Sequence, residues 1–218
     1  MTHRGRLAAP RHYPVSRKET SYVHDMEGSR SPEQAVPVSI VLRDMLEYAD
    51  TESEAKEIVQ NNSVLRNGQP LSSIKQGVAV LDVITLSGED TGFRALRRGD
   101  RFELVKTEDT RRVAKITGKR DTGEGYSYAL HTGENHFSKD DFDTGTTLVF
   151  GQESLEQSVE LNEGSGVVAV DGGHAGNTGE LRQIHSNGRM PDEAEVSTED
   201  EDFTTHLENL VATGGVDL

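Results

Sequence analysis

At 218 residues, with 33% hydrophobic and only 5% aromatic content and neither tryptophan nor cysteine, the chain can fill two or three small cores. That composition excludes disulfides and thiolate metal sites, and no apolar run approaches the ~20 residues that cross a bilayer, so membrane and secreted classes give way to a cytoplasmic one. The net charge of −15 argues against a polyanionic partner until its distribution is read: residues 1–120 hold 20 Lys/Arg and 17 Asp/Glu, whereas residues 121–218 hold 3 and 21.

Residues 1–37 show no periodic apolar face and carry Pro10, Pro14, Pro32 and Pro37, which predicts an extended arm. Its cations Arg4, Arg6, Arg11, Arg17 and Lys18 interleave with His12 and Tyr13, a pattern suited to phosphate contacts and base stacking. Ser39 is placed to cap a helix with Leu42, Met45, Leu46 and Ala49 on one face. Thr51-x-x-Glu54 reads as a capping box that starts a second helix, with Ala55, Ile58 and Val59 as its buried stripe. Val64-Leu65-Arg66 turns β-like, Asn67-Gly68 supplies the positive φ angles of a tight hairpin, and Val80–Leu86 closes the unit as a strand. Arg43, Lys56 and Arg66 occupy polar positions on this wedge.

From about 91 to 160, short β segments alternate with glycine turns, which predicts a small barrel. Arg94, Arg97, Arg98, Arg101, Lys115, Lys119 and Arg120 are its candidate phosphate contacts, some of them needed to balance nearby acids. Residues 163–181 read as strand, glycine-rich turn and strand. Residues 193–202 read as an acidic, solvated loop before a closing strand that starts at Phe203.

Several motifs imitate catalytic ones. Phe142-Asp143-Thr144-Gly145-Thr146-Thr147 has the form of an aspartic-peptidase loop, yet the chain has one copy, so a shared proton would need a symmetric dimer. Gly164-x-Gly166-x-x-Ala169 precedes a β run instead of the helix that a dinucleotide loop opens. His131 and His136 have no cysteine and no third histidine near them to complete a metal site. No nucleophile–base pair stands out. The expectation is no enzyme, no cofactor, no metal and no small-molecule substrate.

The ordered set Leu42-Arg43-Asp44, Leu46, Ser53-x-Ala55-Lys56, Val59, Val64-x-x-Asn67-Gly68 and Asp82-Val83-Ile84 resembles the S-four RNA-binding module. Arg6 to Lys18 resembles the N-terminal signature of the archaeal and eukaryotic type of small-subunit ribosomal protein S-four, with Tyr13 where that family usually has tryptophan. Gly172, Gly176 and Gly179 lie at the spacing of a KOW hairpin, with His174 as the loop's only possible cation. The resemblance implies an α+β chain of four parts. These are a basic arm (1–37), an S-four-like RNA-binding module (38–88), a β-rich central domain (89–160) and an SH3-like KOW barrel (161–218). It implies a structural constituent of the small ribosomal subunit whose partners are ribosomal RNA and neighbouring ribosomal proteins, with no membrane contact.

Under that reading Arg43, Lys56, Arg66, Asn67 and Gly68 grip RNA from the wedge. The arm threads between RNA helices, and Gly172, His174 and Gly176 add a third contact. A free RNA-binding assembly or translation factor, or an RNA-modifying enzyme targeted by the wedge, is the alternative class. Arginine outnumbers lysine 16 to 7 in this acidic chain, which suggests a high-salt cytoplasm. At ~1 M salt the screening length is ~3 Å, so distant carboxylates barely repel a phosphate that close arginines still hold.

Overall fold

The computed structural model describes residues 3–218 except 16–21, 90, 152, 153, 187, 189 and 200, and the side chains of His3, Arg4 and Arg6 lie outside the described set. The chain forms two compact units, residues 1–96 with 100–110 and residues 97–99 with 111–218. Strands predominate in both.

In the first unit the leading segment is not merely extended. β1 (His3–Gly5) pairs antiparallel with β2 (Tyr22–His24). β3 (Ala35–Pro37), wholly buried, pairs with β6 (Gly77–Ala79). Pro37 is the N-cap of α1 (Val38–Ile40), which continues as a π turn over Val41–Met45. Ser39 is therefore not the cap that its position suggested. It is buried within the first turn, where its Oγ lies 2.9 Å from His24 Nδ1.

The next helix, α2 (Glu52–Gln60), begins as expected: Thr51 Oγ1 accepts from Glu54 N–H at 3.3 Å, and Glu54 Oε2 accepts from Thr51 N–H at 3.3 Å. Ala55 and Val59 form its buried stripe, with Ile58 half-buried beside them. The hairpin of β4 (Val64–Arg66) and β5 (Gln69–Pro70) turns on Asn67 and Gly68, whose φ angles of 53° and 76° are the pair that a two-residue turn needs.

The expected strand Val80–Leu86 is shorter: β7 spans Val83–Leu86, and Leu81 before it adopts φ 70° in a buried turn. The sheet then runs on past residue 88 through β8 (Gly92–Arg98) and β9 (Arg101–Thr107), giving the order β5-β4-β7-β8-β9. The segments expected to form one small barrel thus divide, and the first two complete the wedge's sheet.

The second unit holds two five-stranded antiparallel sheets. The first is centred on β10 (Arg112–Asp121), with β11 (Tyr126–Leu130) and β12 (Asn135–Ser138) on one side and β13 (Thr147–Phe150) and β14 (Leu155–Val159) on the other. Ala114, Ile116, Tyr128, Leu130 and Leu148 form its core. Tyr128 is fully buried with its hydroxyl satisfied twice, donating to the Asp140 carbonyl and accepting from Phe142 N–H, both at 2.8 Å.

The second sheet has the order β18-β17-β16-β15-β19, from β15 (Gly166–Ala169), β16 (Thr178–His185), β17 (Glu193–Ser197), β18 (Phe203–His206) and β19 (Leu210–Ala212). Its core includes Val167, Leu181, Ala194, Val196, Phe203 and Leu210. The presumed acidic loop is therefore half strand. Ala194 and Val196 point inward between Glu193, Glu195 and Ser197, an alternation hidden by the charge of its outer face.

Candidate nucleic-acid interface

The wedge is built around one carboxylate. Asp82 is 0% exposed and receives the Arg30 guanidinium, Asn67 Nδ2 at 2.7 Å and Ala79 N–H at 2.7 Å. Asn67 Oδ1 in turn accepts from Val83 N–H at 2.9 Å, which locks the hairpin turn to the strand beside it. A buried charge is tolerable only when paired and fully hydrogen-bonded, and this one is both. Asn67, expected to hold RNA, has both ends of its amide committed inside the protein. Arg66 donates to the Gly77 carbonyl at 2.7 Å, and Arg43 makes a two-point contact with the adjacent Asp44 at 2.8 and 3.2 Å. Lys56 on α2 and Gly68 at the hairpin tip are exposed.

In the arm, Arg11 is exposed, whereas His12 and Tyr13 are each 6% exposed. Their rings meet edge-on at 4.9 Å, and His12 also lies against Phe102 of β9 at 6.3 Å. Tyr13 is thus part of the packing, and stacking on a base would require the arm to lift from its own sheet. Arg17 and Lys18 lie outside the described residues.

The central cations separate into structural and surface groups. The Arg94 side chain is buried, and its NH2 donates to the Asp109 carbonyl at 2.6 Å, which removes it from any phosphate. Lys115 is also no surface contact. Its Nζ donates to the carbonyls of Leu207, Glu208 and Leu210 at 3.0, 2.9 and 2.8 Å, clasping β10 to the segment that enters β19. Burial lowers its pKa from 10.5 to about 8, partly opposed by the Glu208 carboxylate.

Lys119 pairs with Asp141 and sits 4.5 Å from the Tyr126 ring centroid; the Asp141 hydrogen bond raises its pKa. Arg97 pairs with Asp171 at 2.8 Å. Arg98, Arg101 and Arg120 are exposed.

The loop between β15 and β16 turns on Gly172 and Gly176, at φ 83° and 91°. A Cβ at Gly176 would stand 2.3 Å from the Arg97 carbonyl oxygen, so only glycine fits there. His174 stacks on Phe203 at 4.6 Å with planes 16° apart. The geometry leaves an exposed, turn-rich loop whose single imidazole is already engaged.

Asp143 lines a cavity of about 470 Å³ together with Glu160, Asp192 and Lys115. Among the described residues no group of three His, Asp or Glu converges on a possible metal position, and no helix is long and apolar enough to cross a membrane.

The described structure is that of a strand-rich protein of two compact units, with most of its cations in residues 1–120 and several buried charges used for internal ties. No protein-family profile matches the chain. It is 32% identical over 191 residues to small ribosomal subunit protein eS4 of Haloarcula marismortui, an alignment that covers 84% of this chain and 82% of that one. The eS4 protein of Natronomonas pharaonis is 31% identical over 191 residues, covering 84% and 81%. That of Methanocella arvoryzae is 29% identical over 222 residues, covering 99% and 94%. The crystal structure of 30S ribosomal protein S4e from Thermoplasma acidophilum shares the fold, with a TM-score of 0.69 at 22% identity over 83% of this chain and 95% of that one. The chain belongs to the eS4 family of small ribosomal subunit proteins.

Sequence reasoning missed Arg30, the buried partner of Asp82. Nothing in its Ser-Arg-Ser-Pro context distinguishes it from the arm's other arginines.

Proposed function

We propose that this chain is a structural constituent of the small ribosomal subunit that binds ribosomal RNA and supports translation in the cytoplasm. The observation that carries it is the 32% identity over 191 residues, 84% of this chain, to a small-subunit ribosomal protein. The family is not enzymatic, so the single Asp143-Thr144-Gly145 is a turn in a ribosomal protein and not half of a peptidase.

Contact with RNA runs mainly through the first half. The exposed cations Arg11, Lys56, Arg98 and Arg101 would meet phosphates directly; Arg4, Arg6, Arg17 and Lys18 of the arm are candidate contacts on their charge alone. Arg43, held in place by Asp44, would present its remaining donors, and Arg66, tied to the Gly77 carbonyl, contributes less. The last sheet, with its Gly172–Gly176 loop, supports the reading of an SH3-like KOW barrel; its acidic outer strands suit contacts with basic neighbouring proteins better than with RNA. Molar-salt washing of ribosomes separates an integral component from a free assembly or translation factor. The chain should stay with small subunits through the wash, and its release into the supernatant while the subunits remain intact would contradict the proposal.

A further inference from the structure

Register places Arg120, Ser127 and Phe137 side by side on β10, β11 and β12, and Gly118, Ala129 and Asn135 form the neighbouring row on the same face. The opposite face carries Lys119, Tyr128 and His136; Tyr128 lies in the core of this sheet, His136 is half-buried and Lys119 is exposed. Phe137 is 52% exposed, an unusual place for a large apolar ring on an open sheet face. Its position is built in. A Cβ at Gly125 would stand 2.9 Å from Phe137 Cζ, so the ring edge occupies space that only glycine leaves.

Small side chains at Gly118, Ser127 and Ala129 keep the surface beside the ring low. Arg120 is exposed two strand spacings away, about 10 Å. Lys139 follows two residues after Phe137, and its Cα passes 3.3 Å from the same Gly125 Cβ position. Residues 121–218 contain only Lys139, Arg182 and Arg189 as cations, so one of the three stands beside the exposed ring. Asp121 lies on the opposite face with its carboxylate bound to Gly123 N–H, and Glu124 lies in the turn beyond.

We infer that the outer face of β10–β12 is a stacking platform for an unpaired RNA base, with Phe137 under the base and Arg120 and Lys139 on the flanking phosphates. A flat sheet face that offers one aromatic ring between cations matches how single-stranded RNA is held: every base has a π face, and the backbone supplies the charge. The platform rests on the proposed ribosomal RNA role and specifies a site within it, in the half of the chain where net charge discourages RNA.

The test uses the full chain in molar KCl with two probes. One is a nine-nucleotide oligoadenylate with 2-aminopurine at its centre; the other is an abasic ribose-phosphate oligomer of equal length. Phe137→Ala should weaken oligoadenylate binding by about 5- to 150-fold, the equivalent of ~1–3 kcal/mol per stacked base, and leave abasic binding unchanged. Phe137→Trp should retain the affinity and the 2-aminopurine quenching. Arg120→Ala should weaken both probes and reduce the salt slope by about 0.7.

Equal oligoadenylate affinity for the wild type and Phe137→Ala overturns the platform and leaves the ribosomal role standing. A wild type that fails to join small-subunit RNA in the same preparation overturns that role, and the platform with it. Protection of Phe137 only on addition of other small-subunit proteins, without base dependence, would assign the face to protein docking and contradict the inference.

Discussion

Asp82 shows how a residue's place in a pattern can be legible while its role is not. Its position in the S-four pattern was visible, whereas its burial and its three donors belong to the tertiary structure. Asn67 and Arg66 carry the same lesson: polar side chains on the wedge look like RNA contacts until partners inside the protein claim them. Asp82→Ala would leave the Arg30 guanidinium buried without its carboxylate, and should cost about 3–5 kcal/mol in urea unfolding at molar KCl. A cost below 1 kcal/mol would show that the hub is dispensable.

Lys115 yields a pH-dependent effect. Its folded pKa of about 8 lies below the 10.5 of the unfolded chain, so the unfolded state binds the additional proton between those values. The residue's contribution to stability therefore rises with pH across that window, by on the order of 1 kcal/mol per unit, and is lost as pH falls through 8. The stability difference between wild type and Lys115→Met should climb from pH 8 to 10. A flat difference would place the ammonium's pKa elsewhere.

At the scale of elements, local chemistry was legible wherever a few adjacent residues decide the backbone. The Thr51–Glu54 box and the Asn67-Gly68 turn formed as expected, since each satisfies its own hydrogen-bond or φ requirement. Thr51→Ala should cost ~1 kcal/mol and fray α2, measurable as loss of amide protection at residues 52–55. Elements set by distant contacts were not legible. Ser39 became a buried helical residue because β2 brings His24 to it, and residues 193–197 became a strand because β16 and β18 pair with them on both sides. In the latter, glutamates on the solvent face concealed a two-residue period that Ala194 and Val196 carry.

For the whole molecule, the family and the charge split were readable, while the assignment of β8 and β9 to the wedge's sheet depended on pairing that no local signal records. The excess of 21 acids over 3 bases in residues 121–218 brings like charges together on two small sheets. Self-repulsion should destabilise this half in dilute buffer. We expect unfolding below about 50 mM KCl, reversed by molar KCl, when followed by circular dichroism; full stability at low salt would remove the case for a high-salt cytoplasm.

The most direct measurement is a map of RNA–protein cross-links on purified small subunits that contain this chain. The account predicts cross-links to ribosomal RNA concentrated in residues 1–110, a further set near Phe137, and few in residues 193–202. Subunits that lack the chain, or cross-links confined to the acidic trailing strands, would contradict it.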